Sequence, residues 1–167
     1  WERESFFVLT ELVTGGDLKD LIQSHQKNLT SVSPEQVLKI ITQSLLGLRM
    51  MHANNIVHRD IKPDNIMLSS SGDVKIADLG MAQTAEENDL LKSACGTPLY
   101  MAPELTNQVK LARQGTTGQG YSSKVDIWAL GCVQIELTTL DRAFTTASAI
   151  LNGVIPRVHL LNFMKTN

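Results

Sequence analysis

The chain has 167 residues and a formal charge of −2, with 43% hydrophobic and 19% charged residues. This composition allows a buried core and is too apolar for a disordered tail. The small negative charge gives no broad basic surface for nucleic acid, and no apolar run approaches the roughly 20 residues that span a bilayer, so we expect neither partner.

The first predicted elements are a buried strand and a short helix. Residues 6–9 are all apolar and predict an extended strand that passes into a connecting segment. Two glycines at 15–16 predict a turn, and Asp17 is a suitable N-cap for a helix through about His25. Because Trp1 already lies next to this strand, we expect the chain to be a piece of a longer protein.

A longer helix is predicted after Ser33. Serine is a favourable N-cap, proline is preferred at the next position, and Gln36 completes a capping box. Apolar residues then recur at helical spacing and predict one buried face, at Val37, Ile40, Ile41, Leu45, Leu48 and Met51. Asparagines at 54–55 are expected to end this helix.

Short strands and loops are predicted in the middle of the chain. Residues 56–57, 65–68 and 74–76 have strand character, with a hairpin-like turn at 70–73. The polar, acidic residues 83–92 show no period and predict a mobile loop. Residues 107–120, rich in Gln, Gly and Thr, predict an exposed loop. A helix at 123–138 is apolar nearly all round, which predicts a buried central helix.

Residues 58–65 read His-Arg-Asp-Ile-Lys-Pro-Asp-Asn and carry the clearest chemistry. Such a run suits phosphoryl transfer, because Asp60 can accept a hydroxyl proton and Lys62 can hold phosphate oxygens. Asn65 can ligate magnesium. An ordinary polar loop is the alternative for this run alone, but Asp-Leu-Gly follows at 78–80 and Gly-Thr-Pro-Leu-Tyr-Met-Ala-Pro-Glu at 96–104.

These three blocks, in this order, resemble the eukaryotic protein kinase family. A lysine two residues after Asp60 is the serine/threonine-type pattern, and residues 15–18 and 129–132 resemble the NIMA-related group. The resemblance implies an α+β fold made mainly of the helical large lobe, with the small β lobe largely missing. It also implies ATP and Mg²⁺ as cofactors and a protein substrate with a Ser or Thr acceptor. The partial kinase domain would cover 1–167, with the last small-lobe strand and the hinge in 1–13.

The resemblance assigns roles to particular residues. Asp60 is expected to accept the proton of the substrate hydroxyl, and Lys62 to steady the γ-phosphate. Asn65 and Asp78 would be the magnesium ligands, since both offer the oxygen atoms that a hard cation takes. The nucleotide-binding set consists of a gatekeeper, two hinge residues and a residue beneath the adenine: Thr10, Glu11, Val13 and Met67.

Further residues are assigned regulatory or structural roles. Arg59 resembles the arginine that receives a phosphate group on a nearby loop, and Ser93 is the best acceptor for that phosphate. An ordinary exposed serine remains the alternative for Ser93. Thr97 resembles the threonine beside the substrate hydroxyl. Structural roles fall to three residues: His58, Glu104 and Asp126.

Two of these structural residues carry specific expectations. Asp126 resembles the buried aspartate that fixes the backbone of the catalytic loop. A buried carboxylate needs hydrogen-bonded partners, which this backbone would provide. Glu104 would normally meet an arginine further along the chain, and no matching arginine is found before the end of the sequence. The remaining histidines, His25, His52 and His159, are expected to be ordinary surface or capping residues.

Residues 1–167 contain no Gly-rich strand pair and no lysine ahead of Asp17 that could hold phosphates. The isolated chain is therefore expected to be inactive. A pseudokinase-like binding or scaffolding module is the alternative function, and a small-molecule kinase is disfavoured by the block at 96–104. Cys95 and Cys132 lack metal-ligand spacing and are expected to be reduced thiols of an intracellular protein, cytoplasmic or nuclear.

Overall fold

The computed structural model describes residues 7–84, 95–116 and 120–152. Within these ranges the chain is mainly helical and has two small antiparallel sheets. The helices are α1 (Leu18–Asn28), α2 (Pro34–Ala53), α3 (Pro103–Arg113), α4 (Lys124–Thr139) and α5 (Ala147–Leu151). The strands are β1 (Ile56–Val57), β2 (Ile66–Leu68), β3 (Val74–Ile76) and β4 (Gln83–Thr84). No helix in the described ranges is long and apolar enough to cross a membrane.

The first two helices begin at the predicted caps. The side chain of Asp17 accepts a hydrogen bond from the backbone N–H of Asp20 at 2.8 Å. The Ser33 hydroxyl accepts one from the backbone N–H of Gln36 at 3.2 Å. Helix α1 continues to Asn28 instead of ending near His25, and a left-handed Leu29 closes it.

Helix α2 buries most of its predicted apolar face. Val37, Ile40 and Leu48 are at most 7% exposed. The prediction is wrong for Leu45, which is 42% exposed, because Ser44 occupies the inner face at that level of the helix. Its hydroxyl donates to the Ile40 carbonyl at 2.8 Å, so the buried polar group is satisfied within the helix.

Helix α4 lies at the centre of the core and packs against α2. Its inner residues Leu130, Val133 and Leu137 are at most 2% exposed. The expectation of burial on every side is wrong for Ile127, which is 40% exposed. Trp128 stacks on Phe144 with ring centroids 5.8 Å apart. A second, smaller cluster joins α4 to the residues around α3: Val57, Met101, Ala102, Leu105, Tyr121 and Val125.

Residues 58–65 lie between β1 and β2 along the chain, and each of these strands belongs to one of the two sheets. In one sheet β2 pairs with β3, so that Met67 lies opposite Lys75. In the other β1 pairs with β4, with Val57 opposite Gln83. The predicted mobile loop is therefore wrong at 83–84, whose backbone is held by β1. Residues 85–92 of that prediction lie outside the described residues.

Two other expectations are wrong. Residues 7–9 form no strand and are 86 to 99% exposed, because among the described residues the backbone pairing with β2 begins only at Gly15. Much of the predicted loop at 107–120 is helix α3, which starts with a proline in its first turn and buries Leu105 and Gln108. Residues 117–119 lie outside the described ranges.

Candidate active site

A buried carboxylate from α4 holds the loop that follows β1. Asp126 is 1% exposed. Its Oδ2 accepts the backbone N–H of His58 at 2.9 Å, and its Oδ1 accepts that of Arg59 at 2.8 Å. Arg59 has a left-handed backbone with φ of 69°. Two consecutive backbone donors therefore have a charged acceptor at the point where the backbone is strained.

The same carboxylate also reaches α2. The Nε2–H of His52 donates to Oδ2 of Asp126 at 2.8 Å. The expectation of an ordinary surface or capping residue is thus wrong for His52, whose side chain is only 18% exposed. Nothing local could have revealed this contact, since its partner lies 74 residues away. His25 lies 2.7 Å from the Thr30 hydroxyl, and His159 is outside the described residues.

The Asp60 carboxylate accepts four hydrogen bonds from described residues. Its Oδ2 accepts from the Lys62 ammonium at 2.6 Å and from the Asn65 amide at 3.2 Å. Its Oδ1 accepts from Thr97 twice, from the backbone N–H at 2.9 Å and from the hydroxyl at 2.6 Å. The fold thus brings together the acid, the cation and the amide of 58–65 with a residue of the 96–104 block.

These contacts decide the protonation state of Asp60. Burial alone would raise its pKa, but the hydrogen bonds from Lys62 and Thr97 together outweigh burial, and the pKa lies below its ordinary value. Asp60 is therefore ionised at neutral pH, which is the state in which a carboxylate can accept a proton. The Lys62 ammonium also donates to the Thr97 hydroxyl at 3.1 Å, which links the two segments a second time.

Asn65 and Asp78 lie on adjacent backbone segments. The Asn65 amide N–H₂ donates to the Asp60 carbonyl at 2.9 Å, which leaves its side-chain oxygen as the available acceptor. The backbone N–H of Ala77 donates to the Asn65 carbonyl at 2.9 Å and so holds Asp78 beside it. Asp78 has φ of 60°, and its Oδ1 accepts the Gly80 N–H at 3.1 Å. This donor set of an amide and a carboxylate oxygen fits Mg²⁺, which commonly binds one or two protein ligands together with phosphate oxygens.

A cleft of about 710 Å³ adjoins Asp78. All four residues of the predicted nucleotide set line it: Thr10, Glu11, Val13 and Met67. The sequence did not single out Lys75, which also lines this cleft and pairs with Glu11 at 3.0 Å. Its register opposite Met67 was the available signal, because cross-strand partners share one face of a sheet.

Among its contacts with described residues, the Arg59 side chain donates to uncharged groups on three segments. Its Nε–H donates to the Met81 carbonyl at 2.6 Å, and its Nη1 to the Gln83 side chain at 2.7 Å. Nη1 also lies 3.3 Å from the Tyr121 hydroxyl. Gln83 was missed because it belongs to β4, a two-residue strand in a polar stretch without any periodic pattern. Ser93, the predicted phosphate acceptor for Arg59, lies outside the described residues.

The 96–104 block is anchored to α4 by a buried hydrogen bond. The Tyr100 hydroxyl donates to Oε2 of Glu136 at 2.6 Å. Burial raises the pKa of Glu136, although the Tyr100 hydrogen bond opposes that change. Glu104 lies in the first turn of α3 and is exposed, with no ion pair to any described arginine. The predicted roles of these residues in a reaction stay predictions.

The chain is similar to known proteins along nearly all of its length. A family model described as a protein kinase domain matches residues 1–163. The chain is 37% identical over 147 residues to the serine/threonine-protein kinase ATG1c of Arabidopsis thaliana, an alignment that covers 86% of this chain and 18% of that protein. It is 37% identical over 130 residues to the serine/threonine-protein kinase Nek3 of Oryza sativa subsp. japonica, which covers 78% of this chain and 20% of that protein.

A third relative has a similar identity. The mitogen-activated protein kinase kinase kinase 1 of Arabidopsis thaliana is 38% identical over 136 residues, covering 81% of this chain and 20% of that protein. The chain thus spans about a fifth of the length of these three relatives, at 18 to 20%. Since kinases with different names match at 37 to 38% identity, these identities do not favour one subgroup.

Proposed function

This chain belongs to the eukaryotic serine/threonine protein kinase family, and on that premise we propose that the protein containing it transfers the γ-phosphoryl group of ATP to serine and threonine hydroxyls of protein substrates. We propose that 1–13 supply the hinge of the kinase domain and that the site of action is cytoplasmic or nuclear. The two cysteines, Cys95 and Cys132, are free thiols, which supports an intracellular site.

One observation carries the proposal: the Asp60 carboxylate is kept ionised by Lys62 and Thr97 within a single network that includes Asn65. In the proposed reaction the substrate hydroxyl donates to Asp60 while its oxygen attacks the γ-phosphorus. The bond between the γ-phosphorus and the bridging oxygen of the β-phosphate breaks, ADP leaves, and the hydroxyl proton passes to Asp60.

The other residues of the network position the phosphates. Lys62 lies 2.6 Å from Asp60, where its positive charge can also stabilise the oxygens of the transferring group. Asn65 and Asp78 would hold Mg²⁺, which supplies neutralisation of the phosphate charge when bound. Thr10, Glu11, Val13 and Met67 would contact the adenine, a proposal that their shared cleft next to Asp78 supports.

We also propose that Arg59 receives a phosphate group carried by Ser93. A phosphate would be a stronger acceptor than the carbonyl and amide groups of Met81 and Gln83, to which the guanidinium now donates. Binding of the phosphate would therefore link Ser93 to the loop that carries Asp60. His58 and Asp126 would keep the backbone of the loop that carries Asp60 in place. Glu104 would have a structural role in the first turn of α3.

Residues 1–167 expressed alone would transfer phosphate no faster than an Asp60→Asn variant of the same length. The sequence ahead of Asp17 contains no lysine for the α- and β-phosphates, and Phe7 and Leu9 are 94 and 99% exposed.

A pseudokinase-like module is the second candidate function. Scaffolding, however, has no chemical need for the hydrogen-bonded set of Asp60, Lys62 and Asn65.

The test is transfer of radioactive γ-phosphate from ATP to a mixed protein substrate by the whole natural protein, followed by identification of the phosphorylated residue. Label on serine and threonine that requires Mg²⁺ is the expected result. Label on tyrosine, or on a small molecule alone, would contradict the proposal. Binding of ATP without any transfer in the whole protein would favour the binding module.

A further inference from the structure

A second cleft, of about 580 Å³, is lined by residues of the 96–104 block and of helices α3 and α5. We name it the α3–α5 cleft, because helices α3 and α5 supply most of its lining. Its lining residues are Cys95, Gly96, Pro98, Met101, Thr106, Val109, Lys110, Arg113, Gln114, Ala147 and Leu151. The floor is mostly apolar, and the charged groups come from one helix.

Charge is distributed unevenly around the α3–α5 cleft. Lys110 and Arg113 are both exposed and both line it, whereas no carboxylate is among its described lining residues. Neither cation makes an ion pair with a described residue. Two cations that share an apolar cleft without a carboxylate favour an anionic ligand.

One buried polar atom next to the cleft has no partner among the described residues. Thr106 lines the same cleft and is only 8% exposed, yet its hydroxyl has no hydrogen-bond partner among the described residues. A threonine within a helix usually bonds the carbonyl four residues earlier. Buried hydroxyls are satisfied in most proteins, but this oxygen is inaccessible to solvent, so it would meet a ligand in the cleft only after its side chain turned.

The α3–α5 cleft is also next to the proposed phosphoryl acceptor position. Gly96 and Pro98 line it, and the residue between them, Thr97, donates to Asp60. A peptide whose hydroxyl lies at Asp60 would therefore have its neighbouring residues within reach of this cleft. Lys110 and Arg113 would then meet side chains that flank the acceptor.

We propose that the α3–α5 cleft selects protein substrates that carry an acidic or phosphorylated side chain close to the Ser or Thr acceptor. Lys110 and Arg113 bind the anionic group, and Pro98 and Met101 contact the apolar part of the peptide. This inference rests on the proposed kinase function and adds a substrate class to it.

The test uses the whole natural protein and a set of serine peptides that differ only beside the acceptor. One peptide of the set has glutamate there, one phosphoserine, one alanine and one lysine. Since an exposed ion pair contributes modestly, two pairs should lower KM for the glutamate peptide by about fivefold relative to the alanine peptide, with kcat unchanged. A larger effect for phosphoserine than for glutamate would identify a phosphorylated substrate, and the reverse an acidic one.

Charge reversal is the matched variant. Lys110→Glu together with Arg113→Glu should remove the preference for glutamate and give one for lysine. The control is Lys27→Glu with Arg49→Glu, which changes the net charge equally at exposed positions away from the cleft. This control should keep the wild-type ranking of the peptides.

Equal KM values for the glutamate and alanine peptides in the wild type would overturn the inference. The same loss in the charge-reversed and control variants would overturn it as well. If no peptide is phosphorylated, the proposed function fails, and direct binding decides the inference separately. Fluorescence anisotropy should still show tighter binding of the labelled glutamate and phosphoserine peptides than of the alanine peptide. Equal binding of the three peptides would contradict the role proposed for the cleft.

Discussion

The hydroxyl of Thr97 donates a hydrogen bond of 2.6 Å to Oδ1 of Asp60, across 37 residues of sequence. The backbone N–H of Thr97 bonds the same oxygen at 2.9 Å. A hydroxyl therefore already reaches the carboxylate that we propose as the proton acceptor. A hydroxyl can thus donate to this carboxylate, and we propose that a serine or threonine substrate makes the same kind of contact.

Replacement of Thr97 should expose how far Asp60 depends on this contact. Thr97→Val removes the hydroxyl but keeps the shape, so the pKa of Asp60 should rise. The acid limb of the kcat/KM profile should then move to higher pH, because more Asp60 is protonated at a given pH. Thr97→Ser keeps the hydroxyl and should retain the wild-type profile. Identical profiles for the valine and wild-type proteins would contradict the role assigned to this hydrogen bond.

Gly96 should not tolerate a side chain. A Cβ atom there would lie 2.5 Å from the carbonyl oxygen of Arg59, at a φ of 116°. Gly96→Ala should therefore push the 96–104 block away from Asp60 and lower kcat/KM by about 100-fold. Gly115→Ala is the matched control, because Gly115 also has a positive φ of 73° but nothing within 4 Å of the added atom. Comparable activity of the two alanine variants would refute the close approach.

Asp126 should be essential for stability as well as for activity. Asp126→Ala would leave the backbone N–H groups of His58 and Arg59 buried without acceptors, at a cost of about 2–5 kcal/mol in the free energy of unfolding. Urea denaturation of the whole protein measures this change. His52→Ala removes only one of the three hydrogen bonds and should cost less. A loss no larger than that of His52→Ala would show that the carboxylate does not fix the loop.

Glu136 should make stability depend on pH. Its carboxyl has a raised pKa in the folded state, above the ordinary value of 4.5, chiefly because it is buried. The stability that this group contributes is therefore complete below about pH 4.5 and decreases as pH rises through the folded-state pKa. Glu136→Gln does not ionise and can still accept from Tyr100. Its free energy of unfolding relative to wild type should increase from pH 4 to pH 7, and a decrease would contradict the assignment.

Local sequence signals identified much of the fold. The caps at Asp17 and Ser33 depend on residues three positions apart, so they could be recognised without tertiary information. Helix α4 and the strands around 58–78 have similarly local patterns. The start of α3 at a proline was also visible, yet the Gln-rich composition after Asn107 concealed the helix that buries Gln108.

Contacts between distant segments could not be predicted in the same way. His52 and Asp126 are 74 residues apart, and Arg59 and Gln83 are 24 residues apart. Neither pair has a periodic or motif signal, because tertiary packing alone brings the side chains together. Lys110 was likewise hidden, since a cation in the last turn of a helix is ordinary on the basis of the helix dipole.

The most direct test of the account compares two substitutions within one loop. Asp60→Asn and Asp64→Asn make the same chemical change four residues apart, but Asp64 is exposed and pairs only with Lys19 among the described residues. In the whole natural protein, Mg²⁺-dependent transfer from ATP to a serine peptide should fall by about 10²- to 10⁴-fold for Asp60→Asn. It should stay near the wild-type rate for Asp64→Asn. Retention of activity by Asp60→Asn, or an equal loss in both variants, would contradict the central claim that Asp60 is the proton acceptor of a serine/threonine kinase.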